Sequence, residues 1–354
     1  MACYAIPPSR ACAKTSRRAG SNEKSLPPLR TRAPITFLVA KRKKTQSMRK
    51  AAKQIKNEGN GGDEIARVHL THPDRVLYAD QGITKCELAL YYKAIANWIL
   101  PQVENRPLTL LRCPEVYGKA CFYQRHTRDV VHGAIHSISI RDGKASAAYL
   151  YIDSLSGLIA LVQMGVLEIH TWGSRKDRLE RPDRLIFDLD PDPSLPWRRL
   201  KEAGETLRAL LSDLGLKAFV KTTGGKGLHI VVPIAPKQDW EFAKDFSKSI
   251  AERMVQMMPD RYIATMSKAR RAGKIFIDYL RNARTDSAVC AYSPRASSDA
   301  PVSMPVHWRE LTEDVRAKFT LRNVPEHLAH RAQDPWADYD RSRVSLSKAM
   351  LRRL

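Results

Sequence analysis

The sequence predicts an α+β fold in which helices flank a mixed, largely antiparallel sheet. Short apolar runs typical of buried strands alternate along the chain with longer segments whose apolar residues recur at helical spacing. Two of these strands, KAFVKT and LHIVVPI, are separated only by TGGKG, which is short and glycine-rich enough for a hairpin. Because a hairpin joins antiparallel strands, a doubly wound parallel sheet is disfavoured.

Four segments have the residue spacing of helices, and two further runs, RLIFDLD and KIFIDYL, read as short buried strands. Thr84 and Glu87 have the spacing of a capping box, so a helix is predicted to begin there and to continue through about Leu100. The other three predicted helices are Leu155–Val166, Leu200–Leu214 and Phe242–Met257.

The chain is strongly basic, with 60 Lys and Arg against 37 Asp and Glu and a net charge of +23. This imbalance favours a polyanionic partner, of which nucleic acid is the commonest, over a merely solvated basic surface. Residues 1–65 are rich in Lys, Arg, Ser, Pro and Gly and predict a disordered basic arm or linker. We expect a folded domain over residues 66–340 and a C-terminal tail over residues 341–354.

The cysteines and the apolar segments indicate the compartment. Six scattered cysteines include no CxxC pair and no Cys and His group at zinc spacing, which predicts reduced thiols, no zinc and a cytoplasmic location. The longest largely apolar stretch, residues 155–169, is shorter than the roughly 20 residues that a bilayer span needs. We therefore expect no membrane partner.

Carboxylates cluster at the ends of predicted strands. Asp188 and Asp190 lie two residues apart in LIFDLDPDP and would share one face of a strand, while Asp278 follows an apolar run in FIDYL. Together they would form an oxygen-rich site for Mg²⁺ or Mn²⁺. The alternative for such residues is a turn or a helix cap, and for Asp192, between two prolines, we prefer the turn.

The glycine-rich turn TTGGKGLH is a candidate phosphate site. Its glycines would let backbone N–H groups approach an anion, with Thr223, Lys226 and His229 as further donors. It is not a Walker A loop, because a strand rather than a helix follows. A plain hairpin remains the alternative.

Basic residues surround Asp278 in SKARRAGKIFIDYLRNAR and continue into YSPRA. Arg271, Arg281 and Arg295 would hold a triphosphate or a nucleic-acid backbone beside metal-bound carboxylates. A solvated face is the alternative for such a charge run, and a structural role is the alternative for His170 in EIHTWGS.

The ordered motifs resemble a known family. THPDRVLY, GITK, RPLTLLRCPE, FYQRH, EIHTWGS, FDLDPDP, TTGGKGLH, FIDYLRNAR and AYSPRA are closely similar to the polymerase domain of bacterial DNA ligase D, from about Val68 to Trp336. That family belongs to the archaeo-eukaryotic primase superfamily and works in non-homologous end joining. The resemblance implies a catalytic core of the primase-polymerase type over residues 66–340.

The resemblance also implies roles for individual residues. Two Mn²⁺ or Mg²⁺ ions would be bound by Asp188, Asp190 and Asp278, and a primer 3′-hydroxyl would attack the α-phosphate of an NTP or dNTP. Residues of the nucleotide site would be His170, Thr223, His229, Arg281 and Arg295, beside Lys226 of the glycine turn. DNA would be contacted by Arg75 and Lys85, at the 5′-phosphate of a gapped or broken double-stranded end, and by Arg271, in aligning ends.

By the same resemblance the expected partners are Ku and an ATP-dependent DNA ligase, at the bacterial nucleoid. The chain has no KxDG ligase motif, so we expect a stand-alone polymerase or part of a split ligase D, without nick sealing by this chain alone. Two other functions remain open. One is a primase that makes primers de novo, which the absent zinc cysteines and the Arg75 and Lys85 pair disfavour. The other is a non-catalytic DNA-end-binding module, which would gain nothing from three clustered carboxylates.

Overall fold

The computed structural model describes residues 64–354, except 116, 119, 128–131, 143–144 and 314. The predicted basic arm therefore lies outside the described residues, apart from its last two positions. No helix in this part of the chain is both long and apolar enough to cross a membrane.

The described residues form sixteen strands and eight α-helices. The strands are β1 (Glu64–Ile65), β2 (Val68–His69), β3 (Val76–Tyr78), β4 (Ile83–Thr84), β5 (Leu108–Arg112), β6 (Phe122–Gln124), β7 (His136–Asp142), β8 (Ala145–Tyr151), β9 (Val166–Thr171), β10 (Arg184–Pro191), β11 (Phe219–Thr222), β12 (Leu228–Pro233), β13 (Tyr262–Ile263), β14 (Ile275–Asp278), β15 (Ala288–Val289) and β16 (Pro305–Val306). The helices are α1 (Lys85–Ala94), α2 (Ala96–Val103), α3 (Leu155–Gln163), α4 (Trp197–Asp213), α5 (Trp240–Met257), α6 (Val315–Lys318), α7 (Val324–Ala329) and α8 (Lys348–Leu351).

A six-stranded sheet in the order β13-β14-β10-β12-β11-β16 is the centre of the fold. Its strands pair antiparallel except β13 and β14, which are parallel. Strands β11 and β12 form the predicted hairpin around TGGKG. The prediction of a mixed, largely antiparallel sheet with flanking helices is therefore confirmed.

One face of this sheet packs on helices. A Cβ on Gly204 of α4 would lie 3.7 Å and 3.8 Å from the side chains of Ile230 and Leu228 on β12, so these alternate residues face the helix. Since neighbouring residues of a strand point to opposite faces, His229 points away from α4. The opposite face is thus left for polar side chains.

A second sheet, in the order β15-β9-β5-β6, supplies the other wall of a cleft. Strand β9 is one of its two interior strands, paired with β5 on one side and β15 on the other. Side chains from β9 and from the central strands of the six-stranded sheet line one common cavity. The cleft therefore lies between the two sheets.

All four predicted helices are present, with two differences. The helix predicted over Leu155–Val166 ends at Gln163, and Val166 begins strand β9. Thr84 and Glu87 form the capping box at the start of α1. The helix predicted to run through Leu100 is divided at Ile95, whose φ of −109° and ψ of 16° depart from helical values. Helical hydrogen bonding continues through the join, because Ile99 N donates to Ile95 O at 3.1 Å.

The prediction of reduced thiols was wrong for one pair of cysteines. Cys113 and Cys121 form a disulfide with a Cα–Cα distance of 4.3 Å. Arg112 and Phe122 are paired across β5 and β6, so the cysteines next to them in sequence come opposite one another. Their separation of eight residues matches no short motif, because the pairing is created by the hairpin.

The segment predicted as a tail, residues 341–354, lies against the folded domain. Val344 O accepts a hydrogen bond from Ala235 N at 3.0 Å, and Leu346 O accepts one from Gln238 Nε2 at 3.0 Å. Leu346 itself is buried. These contacts fasten the segment to the end of strand β12 and the loop that follows it.

Candidate active site

A row of polar side chains crosses the middle of the six-stranded sheet. Asp188 of β10 lies opposite Asp278 of β14 on one side and opposite His229 of β12 on the other. His229 in turn lies opposite Lys221 of β11. Because directly paired residues of antiparallel strands point to the same face, these four side chains face the cleft together.

Arg281 joins the two paired carboxylates. Its Nε lies 3.2 Å from Asp278 Oδ2 and its Nη2 lies 3.8 Å from Asp188 Oδ2. The neighbouring Asn282 hydrogen-bonds both backbone groups of Ile186, which anchors the turn that carries Arg281 beside β10. A cation is thus held between two carboxylates from adjacent strands.

The three predicted metal ligands differ in electrostatic environment. Burial acts to raise the pKa of Asp188, but His229, Arg281 and Lys221 outweigh it and the pKa is lowered. The pKa of Asp190 is raised by burial and by the charge of Asp188. Burial likewise raises the pKa of Asp278. Two carboxylates with raised pKa values beside a third that is ionised form a site that a bound cation would stabilise.

Asp190 and Asp192 have separate partners. Arg271 Nη1 lies 3.7 Å from Asp190 Oδ2, and the Arg271 guanidinium carbon lies 3.6 Å from the ring centre of Phe276. Asp192 Oδ1 accepts hydrogen bonds from Ser194 N at 2.9 Å and Ser194 Oγ at 2.5 Å. The prediction that Asp192 belongs to a turn is therefore confirmed.

The carboxylate set is chemically suited to Mg²⁺ or Mn²⁺. Both ions prefer oxygen ligands, and the two Asp side chains brought together by β10 and β14 already share one cation, the Arg281 guanidinium. Within the described residues, no three His, Cys, Asp or Glu side chains stand close enough to enclose an ion. The pair of carboxylates that shares Arg281 is compatible with Mg²⁺, which is usually held by one or two carboxylates together with substrate phosphates.

The glycine turn closes one end of the cleft. Thr223 Oγ1 donates to Gly227 O at 3.2 Å and accepts from Gly225 N at 3.2 Å, so its hydroxyl already stabilises the turn. Gly227 is obligatory, because a Cβ there would lie 2.6 Å from Leu189 O of β10. Lys226 is exposed at the tip of the turn. The turn therefore packs tightly against the strand that carries Asp188 and Asp190.

The opposite wall of the cleft carries His170 and Arg295. His170 lies on β9, and the ring of Tyr123 on β6 meets its ring edge-on at 5.7 Å between centres. Arg295 Nη1 donates to Thr223 O at 2.8 Å. Both His170 and Arg295 also contact Glu168, a buried carboxylate that the sequence analysis missed. Its signal was present in EIHTWGS, since residues two apart in a strand share a face.

The second residue missed from the sequence is Lys221. It is only 2% exposed, and its Nζ donates to Ser303 Oγ. Burial lowers the pKa of Lys221 to about 7, with Asp188 among the groups that oppose the shift. Burial and the charge of Lys221 lower the pKa of His229 to about 4. A lysine at an inward position of the apolar run KAFVKT was the signal for this group.

Two cavities meet at the carboxylates. The first has a volume of about 550 Å³, within the usual range for small-molecule sites. The predicted residues that line it are His170, Asp188, Asp190, Thr223, Lys226, His229, Arg281 and Arg295. A second cavity of about 460 Å³ is bounded by Asp188, Asp190, Arg271, Asp278 and Arg281. The structure thus brings nine predicted residues around one centre, with Arg271 at its edge.

Arg75 and Lys85 lie elsewhere, together at the start of α1. Lys85 N donates to Arg75 O at 2.8 Å, and neither residue lines the two cavities. Lys85 is buried, and its Nζ donates to Thr71 O and Gln163 Oε1, each at 2.9 Å. Burial and the charge of Arg75 lower the pKa of Lys85. The predicted DNA-end contacts are therefore separate from the cleft.

We expect Lys221→Met to stabilise the protein, and to do so most below pH 7. The unfolded lysine binds its proton near its usual pKa of 10.5 and the folded one only near 7, so wild type loses stability as the pH falls between these values. The variant escapes this loss, giving an advantage of roughly 5 kcal/mol at pH 6. Thermal unfolding of both proteins from pH 6 to 9.5 measures it. A pH-independent difference would contradict the lowered pKa.

Comparison with known proteins places the fold in a family. The model of the primase-polymerase domain of LigD matches residues 84–336, which contain the carboxylates, the glycine turn and both walls of the cleft. The chain belongs to the LigD primase-polymerase family. In structure it is similar to the polymerase domain of Mycobacterium tuberculosis ligase D in complex with DNA, with a TM-score of 0.73 and 30% identity over 79% of this chain and all of that one.

Longer relatives extend the LigD similarity in sequence. The multifunctional non-homologous end joining protein LigD of Pseudomonas aeruginosa is 41% identical over 291 residues, 82% of this chain and 35% of that protein. The bifunctional LigD of Bacillus subtilis is 25% identical over 279 residues, 78% of this chain and 44% of that protein. The chain thus spans less than half the length of these relatives.

Proposed function

We propose that the chain is a template-dependent nucleotidyltransferase that adds NTPs or dNTPs to a primer 3′-hydroxyl at gaps and double-strand breaks. The observation that carries this proposal is the pairing of Asp188 with Asp278 on adjacent strands, between two cavities and beside the glycine turn. Membership of the LigD primase-polymerase family supports it.

The two cavities would hold the two reactants, the incoming nucleotide and the primer terminus. The triphosphate would lie in the larger cavity against Lys226, Arg281 and Arg295, whose charges oppose its own. The primer terminus would occupy the smaller cavity, so that its 3′-hydroxyl meets the α-phosphate near Asp188 and Asp190. When bound, Mg²⁺ or Mn²⁺ would polarise the phosphate and neutralise the charge that develops on the leaving pyrophosphate.

Arg281 and Arg271 would change partners during binding. In the free protein Arg281 contacts Asp188 and Asp278, and Arg271 contacts Asp190. A triphosphate and a DNA backbone offer these guanidinium groups stronger acceptors, which would release the carboxylates for cations. Neutral His229 would keep its place beside Asp188, where Nε2 lies 3.4 Å from Oδ2.

Charge and family membership support a proposal for the DNA and protein partners. The net charge of +23 fits DNA, and the structure of the M. tuberculosis relative is a complex with DNA. We propose that Arg75 and Lys85 contact the 5′-phosphate of the end, and that Ku and an ATP-dependent ligase work with this chain in bacterial end joining. Nick sealing is not proposed for this chain alone.

A primer-extension assay tests the function. The protein is incubated with a 5′-phosphorylated gapped duplex, Mn²⁺ and labelled NTPs, beside an Asp188→Ala, Asp190→Ala double variant. We expect extension by wild type and none by the variant. Absence of extension by wild type would refute the polymerase, and equal extension by the variant would refute the site. An unprimed single strand tests the primase alternative, which gains support only if primers form on it.

A further inference from the structure

Glu168 is the most extensively bonded carboxylate of the cleft. It lies on β9, and its side chain is only 4% exposed. Its Oε2 lies 2.9 Å from His170 Nε2 and 3.0 Å from Arg295 Nε, and its Oε1 accepts a hydrogen bond from Ala296 N at 2.8 Å. Both oxygens are therefore occupied by partners on two different segments of the chain.

Those contacts extend across the cleft. Arg295 donates from Nη1 to Thr223 O of the glycine turn, and a Cβ on Gly224 would lie 2.6 Å from Arg295 Cγ. Contacts therefore run without interruption from His170 on the four-stranded sheet, through Glu168 and Arg295, to the turn of the six-stranded sheet. No other described carboxylate contacts both His170 and Arg295.

The negative charge of Glu168 strengthens its contacts with His170 and Arg295. Burial acts to raise its pKa, but hydrogen bonding to His170 and the charge of Arg295 prevail and lower the pKa to about 2. A buried ionised carboxylate is stable only when it is paired and hydrogen-bonded, so its partners are held firmly in turn. Since an ionised carboxylate can only accept, His170 Nε2 carries the proton and Nδ1 remains for another partner.

We propose that Glu168 is a positioning residue that fixes His170 and Arg295 for the incoming nucleotide. It sets the ring orientation and tautomer of His170 and holds the Arg295 guanidinium between the two walls of the cleft. This inference rests on the proposed function, in which both partners contact the nucleotide. Loss of the carboxylate weakens nucleotide binding and leaves the chemical centre at Asp188 and Asp278 in place.

Glu168→Gln tests this role, since glutamine keeps the size of the side chain and removes its charge. We expect the KM for NTP to rise about 10- to 100-fold, as for the loss of hydrogen bonds to a charged group, with kcat and the Kd for gapped DNA within about threefold of wild type. Glu168→Asp, which keeps the charge on a shorter side chain, should recover part of the KM. Glu180→Gln is the matched control, because Glu180 is exposed and pairs with Arg284 outside the cleft.

Nitrogen NMR of His170 reports the mechanism directly. Wild type should show a single tautomer protonated at Nε2, and Glu168→Gln should show a mixture and a lower His170 pKa, because Glu168 favours the charged ring. An unchanged KM in an active Glu168→Gln protein would overturn the proposal. So would a parallel fall of kcat, DNA binding and thermal stability, which marks a purely structural tether. Failure of wild type to extend primers refutes the polymerase instead, and is read in the same assay.

Discussion

We expect Asp278→Asn to lower the rate of nucleotide addition by about 10²- to 10³-fold while leaving the Kd for gapped DNA within about twofold of wild type. Asn keeps the shape of the side chain and one oxygen, but it removes the charge that faces Asp188 across β14 and β10. A bound divalent ion would lose one of the three carboxylates proposed to hold it, and Arg281 Nε would lose the negative charge of the group 3.2 Å away. Single-turnover extension of a gapped duplex gives the rate, and fluorescence anisotropy gives the Kd.

Asp192→Asn is the matched control for that variant. Asp192 lies in the same acidic stretch as Asp188 and Asp190, but its Oδ1 accepts from Ser194 within a turn. We expect its rate to stay within about twofold of wild type, because asparagine supports the same turn. Equal losses in the two variants would show that the net negative charge of the region matters, and not a particular ligand position.

The largest expected loss of stability follows replacement of Asp183 by Asn. Arg106 binds this buried carboxylate with two hydrogen bonds of 2.7 Å, and Arg343 and Arg184 approach it at 3.4 Å and 3.7 Å. Removing the charge leaves buried guanidinium groups without their counter-ion, at a cost of about 3–5 kcal/mol in the free energy of unfolding. Calorimetry should show a Tm lower by roughly 10 °C.

The pH dependence of that difference is a second measurement. Burial would raise the pKa of Asp183, but Arg106 dominates and holds it well below its usual value of 3.8. The stability it contributes is therefore fully present above pH 3.8 and is lost as the pH falls below it. Wild type and Asp183→Asn should differ by a constant amount from pH 5 to 8 and converge below pH 4. Asp338→Asn, at an exposed pair with Lys217, should leave the Tm close to that of wild type.

Local signals were sufficient to predict most of the fold. The capping box at Thr84, the leucine spacing of α4 and the short TGGKG connection each depend on residues that are close in sequence. The disulfide between Cys113 and Cys121 depends on how β5 pairs with β6, which no local pattern specifies. Reduced thiols were therefore expected there in error.

In the candidate site too, residues marked by a local sequence pattern were predicted, and residues that depend on distant partners were missed. The sequence predicted Asp188, Asp190 and Asp278 because carboxylates after apolar runs are unusual in a basic chain. Glu168 and Lys221 were missed because each lies inside a strand among apolar neighbours, and its importance comes from partners more than 80 residues away, at Arg295 and Ser303 respectively. Only the pairing of strands and segments brings such partners together.

One row of side chains spans four hydrogen-bonded strands and consists of Asp278, Asp188, His229 and Lys221. The distance between neighbouring positions in this row is therefore the distance between hydrogen-bonded strands, about 4.8 Å. Lengthening the connection between β12 and β14 should leave these distances unchanged. A single residue inserted within β14 would instead turn Asp278 to the helical face of the sheet. Single-residue insertions should therefore be tolerated in the connections and abolish activity within the strands. Scanning insertions along the chain and measuring primer extension would locate the strand ends at which tolerance changes.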